Sequence, residues 1–229
     1  MIDKPSEILA EAAVIRGELV FAAGRNLCAV AERPAEPEDM EDFQTVFAKN
    51  EGAVTAPTAG MHFSPLLLKM MEIKGIEQAF VTMHCGLGCF RTIDVEDLTK
   101  HKTDSEEIHV DQQACDIINR AKNEGKRVVA VGTSVQRVLE TAVSADNRLK
   151  PFDGWTNKFI FPPYDFHIAD AMVANFYSPM STLLMLTAAF GGYELVMRAY
   201  KEAMRYNESD PTRRYRFGPY GDAMLIIND

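Results

Sequence analysis

Two periodicities run through the chain. One, close to 3.6 residues, marks helices, and alternating or short continuous apolar runs mark strands. Residues 64–74 carry the helical period, with Ser64 as N-cap, Pro65 behind it and Gly75 as the stop. Residues 78–84 follow as a strand, and Val110 closes another. Asp111 then caps a helix that runs to Glu124 and ends at Gly125. The apolar run 128–131 reads as a buried strand that passes through Gly132 into an amphipathic helix over 134–145. Residues 159–161 and 168–174 are expected as further strands, 181–190 and 194–206 as helices, and 223–227 as the closing strand. The alternation of helix and strand predicts an α/β protein, a layered fold with a mixed sheet flanked by helices in a single main domain. Residues 42–229 form that domain in this reading, and residues 1–41 an N-terminal segment ending in an acidic, proline-containing linker.

The polar, glycine-bearing segments fall where these strands end, which is where open α/β sheets bind ligands. HCGLGCFRTIDVEDLTKHKTDSEEIHV, from His84 to Val110, is the richest: Gly86 and Gly88 let a backbone approach a ligand, and Arg91 offers a fork for carboxylate or phosphate. A surface loop with a glycine turn is the alternative. TAPTAGMHF, from Thr55 to Phe63, places small residues and His62 ahead of a helix start. VVAVGTSVQRVLET, from Val128 to Thr141, is a strand-to-helix turn with free backbone N–H groups for a polar or anionic ligand. ANFYSPMSTLLML begins at Ala174, with Ser181 or Thr182 opening an apolar helix, and YGDAMLI sets Asp222 before the last strand.

Composition narrows the class. With 229 residues and 47% hydrophobic content, the chain can bury a full core. No apolar run reaches the roughly 20 residues of a membrane span, and the first ten residues do not read as a signal peptide. Cys28, Cys85, Cys89 and Cys115 have no CxxC spacing and fit reduced thiols in a cytoplasm. A zinc set of His84, Cys85, Cys89 and His101 has no recognised ligand spacing, Gly86-Leu87-Gly88 fails GxGxxG at the third glycine, and no GxSxG is present. The net charge of −9 argues against a general nucleic-acid binder. Arg198, Lys201, Arg205, Arg213, Arg214 and Arg216 either gather into one basic face or form a solvated surface balanced by Glu194, Glu202 and Glu208.

Taken in order from about residue 42 to the C-terminus, the five segments resemble the S-adenosylmethionine:tRNA ribosyltransferase-isomerases of queuosine biosynthesis. The resemblance implies transfer and isomerisation of the ribosyl group of S-adenosylmethionine onto 7-aminomethyl-7-deazaguanine in a tRNA anticodon loop. Epoxyqueuosine forms, with loss of adenine and methionine. It implies no membrane, no metal and no cofactor, S-adenosylmethionine being a substrate. His101 is then the expected base, tuned by Asp104 or Glu106, and Glu106 and Arg91 complete the catalytic set. Arg91 would pair the methionine carboxylate or a tRNA phosphate, with a structural salt bridge to Asp94 or Glu96 as the alternative. Thr58, Gly60, His62, Phe63, His84, Gly86, Gly88, Gly132, Thr133, Ser134, Asn175, Ser181, Thr182 and Asp222 are the expected substrate-binding residues. Departures from the family pattern are Cys89 and Thr92 where Thr and Pro are usual, Asp104 for a His, and Tyr177 and Met180 for a His and a Lys. The front shows none of the family's usual motifs, nor its inserted β-barrel. A shortened paralogue with another acceptor, or a non-catalytic binding module, are the competing readings, and weak or absent queuosine-forming activity is expected.

Overall fold

A computed structural model describes residues 17–22, 24–26, 43–209, 214–218 and 220–228. The acidic segment 32–42, Cys28 and Arg213 lie outside the described residues. The strands are β1 (Gly17–Ala22), β2 (Gly24–Asn26), β3 (Asn50–Ala53), β4 (Gln78–Met83), β5 (Glu106–Val110), β6 (Arg127–Val131), β7 (Phe152–Thr156), β8 (Ala171–Asn175) and β9 (Ala223–Ile227). The helices are α1 (Pro65–Ile73), α2 (Gln112–Asn123), α3 (Thr133–Ala142), α4 (Thr182–Gly191) and α5 (Tyr193–Ser209).

Seven strands form one mixed sheet in the order β7-β5-β4-β1-β6-β8-β9, while β2 and β3 pair separately. β4, β1, β6 and β8 run parallel, and β5 and β9 run against them. β1 therefore lies mid-sheet, so the sheet draws a strand from ahead of residue 42. Strand alternation sorts the core into two layers. Val128, Ala130, Met172 and Ala174 face α2 to α5, whereas Val129, Val131, Ala171 and Val173 face α1 and the 3-10 turn Thr58–His62.

The caps are those the sequence offers. Ser64 Oγ accepts from Leu67 N–H at 3.2 Å, and Asp111 Oδ1 from Ala114 N–H at 2.7 Å. Gly75 and Gly125 end their helices at φ +77° and +67°. Two expectations fail. Residues 159–161 form no strand: Phe159 packs its ring on His101 and Phe161, at 4.9 and 5.0 Å, so these aromatics serve side-chain stacking in a loop. The strand expected from 168 begins at Ala171, because Asp170 turns its carboxylate back onto Val128 N–H at 2.8 Å. β7 (FDGWT) was not anticipated; it pairs antiparallel with β5 at the sheet edge.

The topology brings the ends of β4, β6 and β8 and the beginnings of β5 and β9 to one edge. At its middle, Gly132 turns β6 into α3 at φ +106°, where a Cβ would also meet Ser134 Oγ at 3.2 Å. Gly132→Ala is expected to lower unfolding free energy by about 1–3 kcal/mol through backbone strain, read from urea denaturation midpoints at constant m-value.

Candidate functional site

At that edge lies a cleft of ≈ 180 Å³, built from four loops and closed by Gly218. Thr55 to Ala59 form one wall, and Met83, Cys85, Cys89, Arg91 and Thr92 another. Gly132, Thr133, Ser134 and Arg137 contribute the start of α3, and Tyr177, Ser178, Pro179, Ser181 and Leu183 the approach to α4. Ser181 Oγ accepts from Leu184 N–H at 3.1 Å and donates to Ser178 O at 2.8 Å, capping α4 and shaping that loop together. Ile93 N–H donates to Met180 O at 2.8 Å, which ties the second wall to the fourth and holds Met180 at φ +57°.

Beneath the cleft sits a buried ion pair. Glu106 and Arg137 have side chains 4% and 10% exposed, and Arg137 Nη1 donates to Glu106 Oε2. Glu106 Oε1 accepts from Gly86 N–H at 2.7 Å and from the Cys89 thiol at 3.7 Å. The carboxylate thus joins the β4 exit, the start of β5 and α3. Cys85, Cys89 and Glu106 offer donor atoms within 4.8 Å of one another. Hydrogen bonding with Cys89, and then burial, push the Cys85 thiol well above its usual range, so it stays protonated. With the carboxylate already engaged, this cluster reads as a hydrogen-bonded floor rather than a ligand set.

Asn175, fully buried at the end of β8, is the second hub. Its Oδ1 accepts from Thr58 Oγ1 at 3.2 Å, and its Nδ2 donates to Gly221 O at 3.2 Å and faces His62 Nε2 at 3.4 Å. On the cleft wall, Tyr177 OH and Thr133 Oγ1 are 3.2 Å apart, and burial pushes the tyrosine up to about 12.

A family profile described as queuosine biosynthesis protein matches residues 10–226. This chain belongs to that family. It is 66% identical over 196 residues to the S-adenosylmethionine:tRNA ribosyltransferase-isomerase of Phocaeicola vulgatus, covering 86% of this chain and 54% of that one. The enzyme of the same name from Symbiobacterium thermophilum is 47% identical over 190 residues, covering 83% and 54% respectively. The crystal structure of an S-adenosylmethionine tRNA ribosyltransferase from Thermotoga maritima matches with a TM-score of 0.59 at 38% identity, over 74% of this chain and 51% of that one. The chain spans about half the length of the curated relatives it matches.

Of the residues singled out from sequence, Thr58, Arg91, Gly132, Thr133, Ser134 and Ser181 line the cleft. His62 and Asn175 stand behind Thr58, and Gly86 and Glu106 lie under the floor. Gly60 is a packing position, where a Cβ would meet Phe47 at 2.8 Å, and Phe63 belongs to the α1-side core. His84 packs its ring on Gly52 with Nδ1 buried and unpartnered, away from the cleft lining. Gly88 abuts the Asp104 side chain, whose carboxylate pairs with Arg91 at 3.3 Å, not Asp94 or Glu96. His101 ends a 3-10 turn outside the lining, and Thr182 is likewise outside it. Asp222 accepts from Arg216 N–H at 2.7 Å and organises the turn that carries Gly218. On the supposed basic face, Arg205 is paired with Glu202 at 2.5 Å and Arg216 reaches toward Asp222 at 3.8 Å.

Sequence reasoning missed Arg137, although a signal existed. It follows Thr133 by four residues and Ser134 by three, so all three share one helix face. Cys85, Cys89 and Tyr177 were likewise not read as lining.

His62 supplies a pH test. Burial lowers its pKa below the ordinary 6.5, opposed by Asp222 and reinforced by Arg216. Between its folded value and 6.5 the unfolded chain binds more protons, so stability is full above 6.5 and falls as pH drops through this window. The expected imidazole NMR midpoint lies below 6.5, and His62→Gln should flatten the melting temperature against pH there.

Proposed function

We propose that this chain binds S-adenosylmethionine in the cleft at the sheet edge. There it transfers and isomerises the ribosyl group onto 7-aminomethyl-7-deazaguanine of a tRNA anticodon loop, with adenine and methionine released and epoxyqueuosine formed. The observation that carries this reading is the convergence of loops 55–59, 83–92, 132–137 and 177–183 on one cleft, in a chain of this family. The sulfonium acidifies the neighbouring C5′ protons and makes methionine the leaving group, so the protein must orient the substrate, shield it from water and move a proton. Met83, Leu183 and Pro179 supply apolar wall, and the protonated Tyr177 hydroxyl supplies a fixed hydrogen-bond donor. Action on tRNA implies a cytoplasmic protein. Among the described residues no helix is long and apolar enough to cross a membrane.

His101 fits the role of proton acceptor less well than its sequence neighbourhood suggests, because its ring rests on Phe159 outside the cleft lining. Removing a general base costs roughly 10²- to 10⁴-fold in rate. His101→Ala is expected to cost less than about tenfold, well under that range. Mass spectrometry of products from S-adenosylmethionine, with and without queuosine-deficient tRNA, should show adenine and epoxyqueuosine only when tRNA is present. Adenine released without tRNA would assign a different acceptor; no binding and no adenine would sink the reading.

A further inference from the structure

Arg137 is tied down on one side only. Nη1 is engaged by Glu106, while Nε and Nη2 are buried and find no hydrogen-bond partner among the described residues. An unmatched guanidinium edge in a nine-tenths-buried side chain is costly, and native structures seldom leave one without a protein, water or ligand partner. Arg137 lines the cleft. Helical side chains lean toward the N-terminus, so this one runs along the face of Thr133 and Ser134 toward the first turn of α3. That turn begins at Gly132 with no side-chain cap, and its backbone N–H groups and dipole favour an anion.

We propose that Arg137 and the first turn of α3 bind the α-carboxylate of the amino-acid arm of S-adenosylmethionine. The assignment rests on the reading of the chain as an S-adenosylmethionine-binding protein. The Nε and Nη2 edge is the two-donor fork that matches a carboxylate in its own plane. Glu106 holds the guanidinium from its other end, which fixes the fork's direction. A tRNA backbone phosphate would demand an accessible cation, whereas this one lies at the inner end of a small cleft. Arg91 is the weaker candidate, being 67% exposed and already facing Asp104.

Calorimetry with S-adenosylmethionine and with its decarboxylated analogue, which keeps the sulfonium, amine and nucleoside, tests the proposal. The unsubstituted chain should prefer S-adenosylmethionine by roughly 10- to 100-fold. Arg137→Gln should erase that preference, with the larger loss of affinity falling on S-adenosylmethionine and the smaller on the analogue. Because Arg137→Gln strands a buried carboxylate, the double variant Glu106→Gln with Arg137→Gln, checked by melting, provides the same comparison without an unpaired charge. Equal weakening toward both ligands would make Arg137 structural and overturn the assignment. So would equal affinity of the unsubstituted chain for the two ligands, with competition by inorganic phosphate then giving the subsite to a phosphate. Binding of neither ligand by the unsubstituted chain would remove the functional reading and this assignment with it.

Discussion

The buried pair of Glu106 and Arg137 is the interaction on which the cleft depends. Two charges withdrawn from water cost several kcal/mol each, and their mutual attraction offsets this only with good geometry and further hydrogen bonds. Gly86 N–H and the Cys89 thiol supply such bonds to the carboxylate. The pair therefore fixes where the β4 exit, the start of β5 and the α3 helix stand relative to one another. Removing one partner from a pair of this kind costs about 3–5 kcal/mol. That cost concentrates at the cleft floor, so the pocket's shape and the local stability share one determinant.

The pair also sets the electrostatics above it. S-adenosylmethionine carries a sulfonium and an ammonium, which a lone buried guanidinium would repel. Glu106 offsets the charge of Arg137 at close range while leaving its Nε and Nη2 donors buried and unengaged among the described residues. A neutral pair that still donates two directed hydrogen bonds can hold a carboxylate without expelling a cation nearby. The second hub, Asn175, does comparable work without charge: its amide ties Thr58 and Gly221 and faces His62 at the end of β8.

Local rules carried much of the fold into the sequence. Ser64 and Asp111 are N-caps, Gly75 and Gly125 are stops, and the apolar run 171–174 reads as a strand, which the structure buries on both faces. β7 was invisible because its buried and exposed positions follow β5 across the sheet edge, and FDGWT interrupts its strand formers with Asp153 and Gly154, which strands disfavour. The aromatic run at 159–161 misled for the opposite reason, since rings that favour strands also stack in loops. The glycine and small polar residues marked the strand ends at which the cleft lies. What they did not mark was depth. Arg91 and His101 have chemically suggestive neighbours in sequence, yet one is exposed beside Asp104 and the other rests on Phe159. Arg137 looks like an ordinary residue of an amphipathic helix, and only the pairing of β5 beside β4 brings Glu106 beneath it.

Cys89, Thr92 and Tyr177 line the cleft, whereas Asp104 and Met180 stand beside its walls. Asp104 pairs with Arg91 and lies against Gly88. Tyr177 is buried in the wall, its hydroxyl beside Thr133 and its backbone N–H donating to Tyr200 OH at 2.7 Å. Met180 holds a left-handed backbone at φ +57°, a conformation that costs a residue with a Cβ about 1–2 kcal/mol, and Ile93 N–H secures it at 2.8 Å. Asp104 sets a carboxylate beside the exposed Arg91, and Met180 brings no charge to the loop it shares with Pro179 and Ser181. Asp104 thereby offsets the exposed charge of Arg91, while Glu106 offsets the buried charge of Arg137. The two guanidiniums of the cleft are thus held differently, Arg91 in the open beside Asp104 and Arg137 in a buried pair with Glu106, so a substitution at one leaves the other's partner in place.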